Sequence, residues 1–321
     1  MNTKVLLSIA AAFAVCATGP AFADDWPTKP VRAITTTSAG GISDIFMRAL
    51  GDELTKRWGQ PIVVENRPGG SQNLGTRACT EAPPDGYTIC IINADASVYN
   101  QFLFKSLPFD PEKLQPITNL FHLIHVLVVN SDLKVKNVDE LVALSKAQPG
   151  KLNYLTPGAP MVAYMEWLKK EKGADWVRVP FRGGGEAVNA ILSGTTPIAL
   201  FGEGNVIGQI RAGKMTPLLM MNNIKSPNFP DVPLLSDTGY KGPPSQGWYG
   251  LFTSAGTPKP IIDKINKDVV AIVNDPAFRE RHLSARSLVP AVNTTEQFAA
   301  EIKRDRATAP KVLKDAGFEP Q

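Results

Sequence analysis

Cysteine and histidine are both scarce, with three of each in 321 residues. His122, His125 and His282 do not fall at ligand-like spacing with other donors, and His122 and His125 flank apolar residues. They read as structural histidines rather than a metal pair. C-x-x-C, H-E-x-x-H and G-x-S-x-G are all absent, so nothing in the motifs argues for an enzyme. No metal and no cofactor is expected. A dominant charge is lacking too: 34 Lys and Arg stand against 30 Asp and Glu. That excess is too mild and too evenly spread to point to nucleic acid or an anionic membrane. Beyond the first two dozen residues no apolar run approaches the roughly 20 needed to span a bilayer. Low-complexity tracts, heptads and fixed-period repeats are missing as well.

What is present begins with a processing signal. Lys4 precedes the apolar run Val5 to Val15, and Ala21-Phe22-Ala23 follows as an A-x-A cleavage site. Residues 1–23 therefore read as a signal peptide, with Asp24 starting a protein placed outside the cytoplasm. The mature chain keeps two cysteines, Cys79 and Cys90, one late on an expected helix and one on the next expected strand. In an oxidising compartment that pair is a disulfide candidate, with two buried free thiols as the alternative.

Val31 to Arg48 organises the rest. Val31, Ala33 and Ile34, followed by β-branched Thr35 to Thr37, favour a strand. Ile45, Phe46, Ala49, Leu50 and Leu54 repeat at helical spacing. Between them lies the small, polar loop Ser38 to Ser43. Such a joint leaves helical N–H groups unpaired at the positive end of a helix dipole, which suits an anion. A plain turn at Gly40-Gly41 is the alternative. Similar strand–loop–helix units follow at Ile62 to Thr80, Tyr87 to Ser97, Leu152 to Val162, Val177 to Gly185 and Pro197 to Gly204. They indicate α/β sheets with ligands at the carboxyl ends of the strands. Leu123 to Val129 reads as one long apolar strand. The G-x-x-x-x-G-K run at Gly208 to Lys214 lacks the following Ser or Thr and closes a helix, so Gly213 reads as a helix C-cap.

Several segments resemble one family in order along the chain. Trp26-Pro27-Thr28-Lys29-Pro30-Val31-Arg32 is similar to its opening W/Y-P-x-K-P-I/V-R, and Gly40-Gly41-x-x-Asp44 with Arg48 to its G-G-x-x-D-x-x-A-R, with Met47 in place of the alanine. Gly59 to Gly70 resembles G-Q-P-V-V-V-E-N-R-P-G-A, and Pro84-Asp85-Gly86-Tyr87-Thr88 matches P-D-G-Y-T. The family is the Bug, or tripartite tricarboxylate transporter receptor, family of periplasmic solute-binding proteins. The resemblance implies an α/β, two-lobed type II periplasmic binding protein fold with a ligand cleft between the lobes. Residues 24–125 and 247–321 would form lobe one and 126–246 lobe two, with crossings near Leu123 to Val129 and Ser245 to Phe252.

The implied role is capture of a small carboxylate, aromatic or dicarboxylic, for the membrane subunits of a tripartite tricarboxylate-type transporter. The receptor would be monomeric and would not touch nucleic acid. A ligand-sensing adaptor and a secreted α/β hydrolase are the alternatives. Lobe one would offer Thr36, Thr37, Ser38, Ala39, Gly40, Gly41, Ser43 and Asp44, with Asp95 and Ser97 shaping the same wall. Lobe two would offer Gly158, Ala159, Pro160 and Met161, then Arg182 with Gly183, Gly184 and Gly185, and Glu203. Two departures stand out. Thr36-Thr37 replaces the usual Pro-Phe, and Pro157 to Met161 replaces a G-x-G-S/T loop. Each proline there removes an N–H.

Overall fold

The structure is a computed structural model, and it describes residues 26–319 except 157, 180–183 and 243–246. The signal peptide, Arg182, Gly183 and Ser245 lie outside the described residues.

The first half runs β1 (Val31–Thr35), α1 (Ile42–Trp58), β2 (Ile62–Asn66), α2 (Asn73–Thr80), β3 (Thr88–Asn93), α3 (Asn100–Leu103) and β4 (Leu114–Leu123). There follow β5 (His125–Asn130), α4 (Val138–Ala147), β6 (Asn153–Leu155), α5 (Ala159–Lys172), β7 (Val177–Arg178), α6 (Gly184–Leu192), β8 (Ile198–Gly202), α7 (Glu203–Arg211) and β9 (Met215–Met220). The chain ends with β10 (Trp248–Ser254), α8 (Lys259–Asn274), α9 (Pro276–His282), β11 (Leu288–Pro290) and α10 (Thr295–Asp315).

These strands make two sheets. The first has six strands in the order β11-β4-β10-β3-β1-β2, and the second has five in the order β7-β6-β8-β5-β9. β1, β2 and β3 run parallel, as do β6, β7 and β8, so each sheet has a set of carboxyl-end loops. β3 is buried along its whole length, which is why its sequence Thr88-Ile89-Cys90-Ile91-Ile92 shows no polar alternation.

The apolar run at Leu123 is not one strand. β4 belongs to the first sheet and β5 to the second, and the ladder breaks at Ile124, whose carbonyl accepts the Glu203 N–H at 2.8 Å. An apolar run carries no mark where it changes sheets, because both partners bury it equally. The return strand lies alongside: the Leu123 N–H donates to the Gly247 carbonyl at 2.7 Å, next to the Trp248–His122 pair. Asn222 ties the crossing from a third side, accepting the His125 N–H at 2.7 Å and donating to the Leu123 carbonyl at 3.0 Å.

α10 reaches both halves. Phe298 packs against Trp248 and Phe252 in the first sheet's core, while Val312, Leu313 and Ala316 pack against Ala159, Val162 and Ala163 of α5. Gly213 has the left-handed backbone of a helix terminus (φ +68°), directly after α7, as its reading as a cap requires. The Cys79–Cys90 disulfide joins α2 to β3 with a Cα separation of 6.2 Å, inside the usual range for a bridge.

Candidate functional site

A cavity of about 220 Å³ sits at the crossing. The side of the first sheet contributes Gln72, Asp95 and Tyr249 to its wall, the side of the second sheet Gly158, Pro160 and Met161. His125 lines it from the crossing itself.

Asp95 is placed by an unusual turn. Directly after β3 the chain makes one π-helical turn, Asp95–Tyr99, a form frequent at functional sites. Asn93 holds it: its side-chain oxygen accepts the Ala96 N–H at 3.0 Å and its amide donates to Asp95 Oδ2 at 3.2 Å. Ser97 is turned inward, its hydroxyl donating to the Asn93 carbonyl at 2.7 Å. It supports the turn from behind and is fully buried. Burial pushes the Asp95 carboxyl up to about 6, against the pull of Asn93. His125, also buried, is held down to about 4 and stays neutral. The phenols of Tyr99 and Tyr249 are raised by burial first and by the Asp95 charge second, so both keep their protons.

Gln72 reaches the cavity because it caps α2 in a left-handed conformation (φ +73°). Thr36 is buried and donates to Gln72 Oε1 at 2.7 Å. The threonine that replaces the family's proline thus orients a cavity residue without lining the cavity itself.

The joint after β1 has a different character. Ser38, Ala39 and Gly40 are exposed, and the Thr37 and Ser43 hydroxyls bond to each other. The Gly40 N–H donates to Asp44 Oδ2 at 2.9 Å, while Asn66 and Arg48 hold the other oxygen. Burial alone would raise the Asp44 carboxyl; Arg48, Gly40 and Asn66 together outweigh it and keep it below the usual carboxylate range. The start of α1 therefore carries its own anion. Thr37 to Ser43 do not line the cavity.

Across the cavity, α5 starts one turn earlier than the sequence suggests. Gly158 is its N-cap, and Ala159, Pro160 and Met161 form its first turn. Proline is accommodated there because its missing N–H would have no helical partner anyway. Gly184 and Gly185 open α6. Glu203 opens α7 fully buried at the crossing, accepting from Asn228 at 2.8 Å, and lies apart from the cavity wall. Gln72, Tyr99 and Tyr249 line the cavity without a site signal in the sequence, and His125, which reads as a structural histidine, lines it too. The left-handed cap at Gln72 and the cross-strand placement of Tyr249 are tertiary facts without a local signal.

A two-lobed α/β fold with a cavity at the crossing defines a solute-binding architecture, and the comparisons agree. The family model described as "Tripartite tricarboxylate transporter family receptor" matches residues 46–317, and the chain belongs to that family. The protein BugT of Bordetella pertussis is 29% identical over 314 residues, covering 95% of this chain and 96% of its own. A solved structure described as a periplasmic transporter superposes with a TM-score of 0.79 at 31% identity, covering 92% of this chain and 99% of that one. An R. palustris protein solved with adipate shares the fold, with a TM-score of 0.82 at 23% identity, over 92% of this chain and 100% of its own.

Proposed function

We propose that this protein is a periplasmic receptor that captures a small carboxylate between two lobes and passes it, unchanged, to the membrane subunits of a tripartite tricarboxylate-type transporter. The lobes are residues 24–125 with 247–321, and residues 126–246. The reading rests on one observation above all: the cavity at the crossing is walled from both halves of the chain. Such a wall is completed or broken by hinge motion, as ligand capture requires. Its volume is below the roughly 300–1,000 Å³ of drug-sized sites, which suits a small metabolite. The start of α5, with Gly158 and Pro160 at the cavity wall, turns the positive end of a helix dipole toward the cavity, although Pro160 itself offers no N–H. Met161 and Pro160 beside it favour an apolar body. That a relative in fold was solved with adipate supports the ligand class.

A micromolar ligand needs about 8 kcal/mol. Two or three charge-assisted hydrogen bonds at roughly 1.5–3 kcal/mol each supply about half, and burial between the lobes supplies the rest. A thermal-shift screen over small mono- and dicarboxylates, followed by calorimetry, tests the reading. At least one acid should raise the melting temperature, bind with one-to-one stoichiometry, be recovered unchanged and lose at least tenfold affinity as its amide. Turnover of the acid, or no stabilising acid in the screen, would refute it.

A further inference from the structure

A second cavity, of about 640 Å³, opens between α3 with the turn after it and the end of α10, and it shares no lining residue with the cleft cavity. That volume lies inside the roughly 300–1,000 Å³ range of small-molecule sites. Its apolar wall is built by Phe102 and Phe104 on one side and by Pro310, Leu313 and Phe318 on the other. The three phenylalanines are only partly buried, so their rings keep apolar surface in water that an apolar guest would cover.

This wall is braced from behind. Leu313 is buried against Ala159, Val162 and Ala163 of α5, and the Phe318 ring lies 5.0 Å from the Arg178 guanidinium. Phe102 packs against the same α5–α10 cluster and against the one around Phe298. Pro310 stands inside α10, where it forfeits a helical hydrogen bond and turns its ring into the wall. A wall fixed in advance loses little entropy when it is filled.

The charges lie at the rim. Lys105 and Lys314 are exposed there, and among the described residues neither is paired with a carboxylate, whereas Lys311, one turn earlier on α10, holds Asp315 at 2.6 Å. Glu319 is the acid of the lining and is exposed. Two lysines against one glutamate leave the rim with one positive charge. A short diacid would leave the phenyl rings wet, and a cationic amphiphile would meet both lysines. A single negative head on an apolar tail satisfies wall and rim together.

We propose that this cavity is a second binding site, for a medium-chain monocarboxylate, whose tail lies against Phe102, Phe104 and Phe318 and whose head is met by Lys105 and Lys314. The site is separate from the capture cleft, and its occupancy does not require the receptor reading.

Calorimetry with decanoate, kept below its micelle-forming concentration, tests the site on the wild-type protein, on the double variant Lys105→Glu with Lys314→Glu, and on Phe104→Ser. Circular dichroism and melting confirm the fold of each variant. Decanoate should bind one-to-one. Butyrate, which lacks most of the tail, and decyltrimethylammonium, which reverses the head charge, should each bind at least about tenfold more weakly. The double variant should lose about tenfold or more, the worth of one charge-assisted hydrogen bond, and Phe104→Ser should lose a similar factor through the tail. No binding of decanoate to the wild type overturns the site. Binding that the lysine variant leaves unchanged places decanoate elsewhere, the cleft included, and overturns it equally. If decyltrimethylammonium binds as tightly as decanoate, the rim does not select an anion and the assignment fails.

Discussion

Asp95 and His125 share a cavity wall and titrate in opposite senses. Burial raises the Asp95 carboxyl to about 6, so the folded protein holds a proton there that the unfolded chain has released. Its charge therefore costs stability above pH 6, and the cost vanishes as pH falls toward the ordinary carboxylate value. Burial lowers His125 to about 4, so the unfolded chain takes up the proton first. Its contribution is complete above about pH 6.5 and is lost as pH falls through 4. Between pH 4 and 6 the two slopes oppose each other. Asp95→Asn removes one of them. We expect the ligand-free variant to be more stable than wild type at pH 7 by up to about 3 kcal/mol, and the two to converge near pH 4. Thermal melts across pH 4–7 read this directly; equal melting temperatures at pH 7 would mean that the carboxylate is well solvated in the free protein. A cavity-lining carboxylate that weakens its own fold is what a site awaiting a ligand would show.

At the scale of elements, the link between α2 and β3 depends on one covalent bond. Cys79 on α2 and Cys90 on β3 are both fully buried, and the loop they close carries Pro83-Pro84-Asp85-Gly86. Closing so short a loop contributes about 3 kcal/mol. Reduction should lower the melting temperature by roughly 5–10 °C in a chain of this size, and mass spectrometry of the unreduced protein should show one linked peptide pair. Two alkylatable thiols would show that the bridge does not form. The bridge was legible in the sequence because compartment, parity and a helix–turn–strand spacing all agreed. The βα joints were legible for a similar reason: local period and small-residue loops coincide at Ser38 to Ser43 and after β3. What each joint does was not. The start of α1 looked like a free anion seat, but Asp44, three residues after Gly41, supplies its own carboxylate. Pro160, before Val162, reads as part of a loop but stands in the first turn of α5. In both cases the deciding partner lies outside the local pattern: a long-range bond from Asn66, or a helix geometry indifferent to a missing N–H.

At the scale of the whole molecule, the two-sheet architecture and the region of the crossing were readable from family-like segments along the chain, whereas the exact break at Ile124 was hidden inside an apolar run. Least visible was the reach of α10. Its period marks an amphipathic helix, but nothing local says that its two ends serve different sheets. Because Val312 and Leu313 are buried against α5, separating the halves must expose them. Val312→Asp should favour the open form: small-angle scattering of the free protein should give a larger radius of gyration, and ligand affinity should fall in proportion to the lost closed population. An unchanged radius would mean that α10 moves together with α5 when the cleft opens. For a receptor that must also let go, this contact acts as a preset grip. On the receptor reading proposed above, a few buried methyl groups of α10 and α5, apart from the cavity wall, would set how firmly the empty cleft stays shut. Capture and release would then be retuned by substitutions at the buried face of α10 while the chemistry of recognition stays untouched.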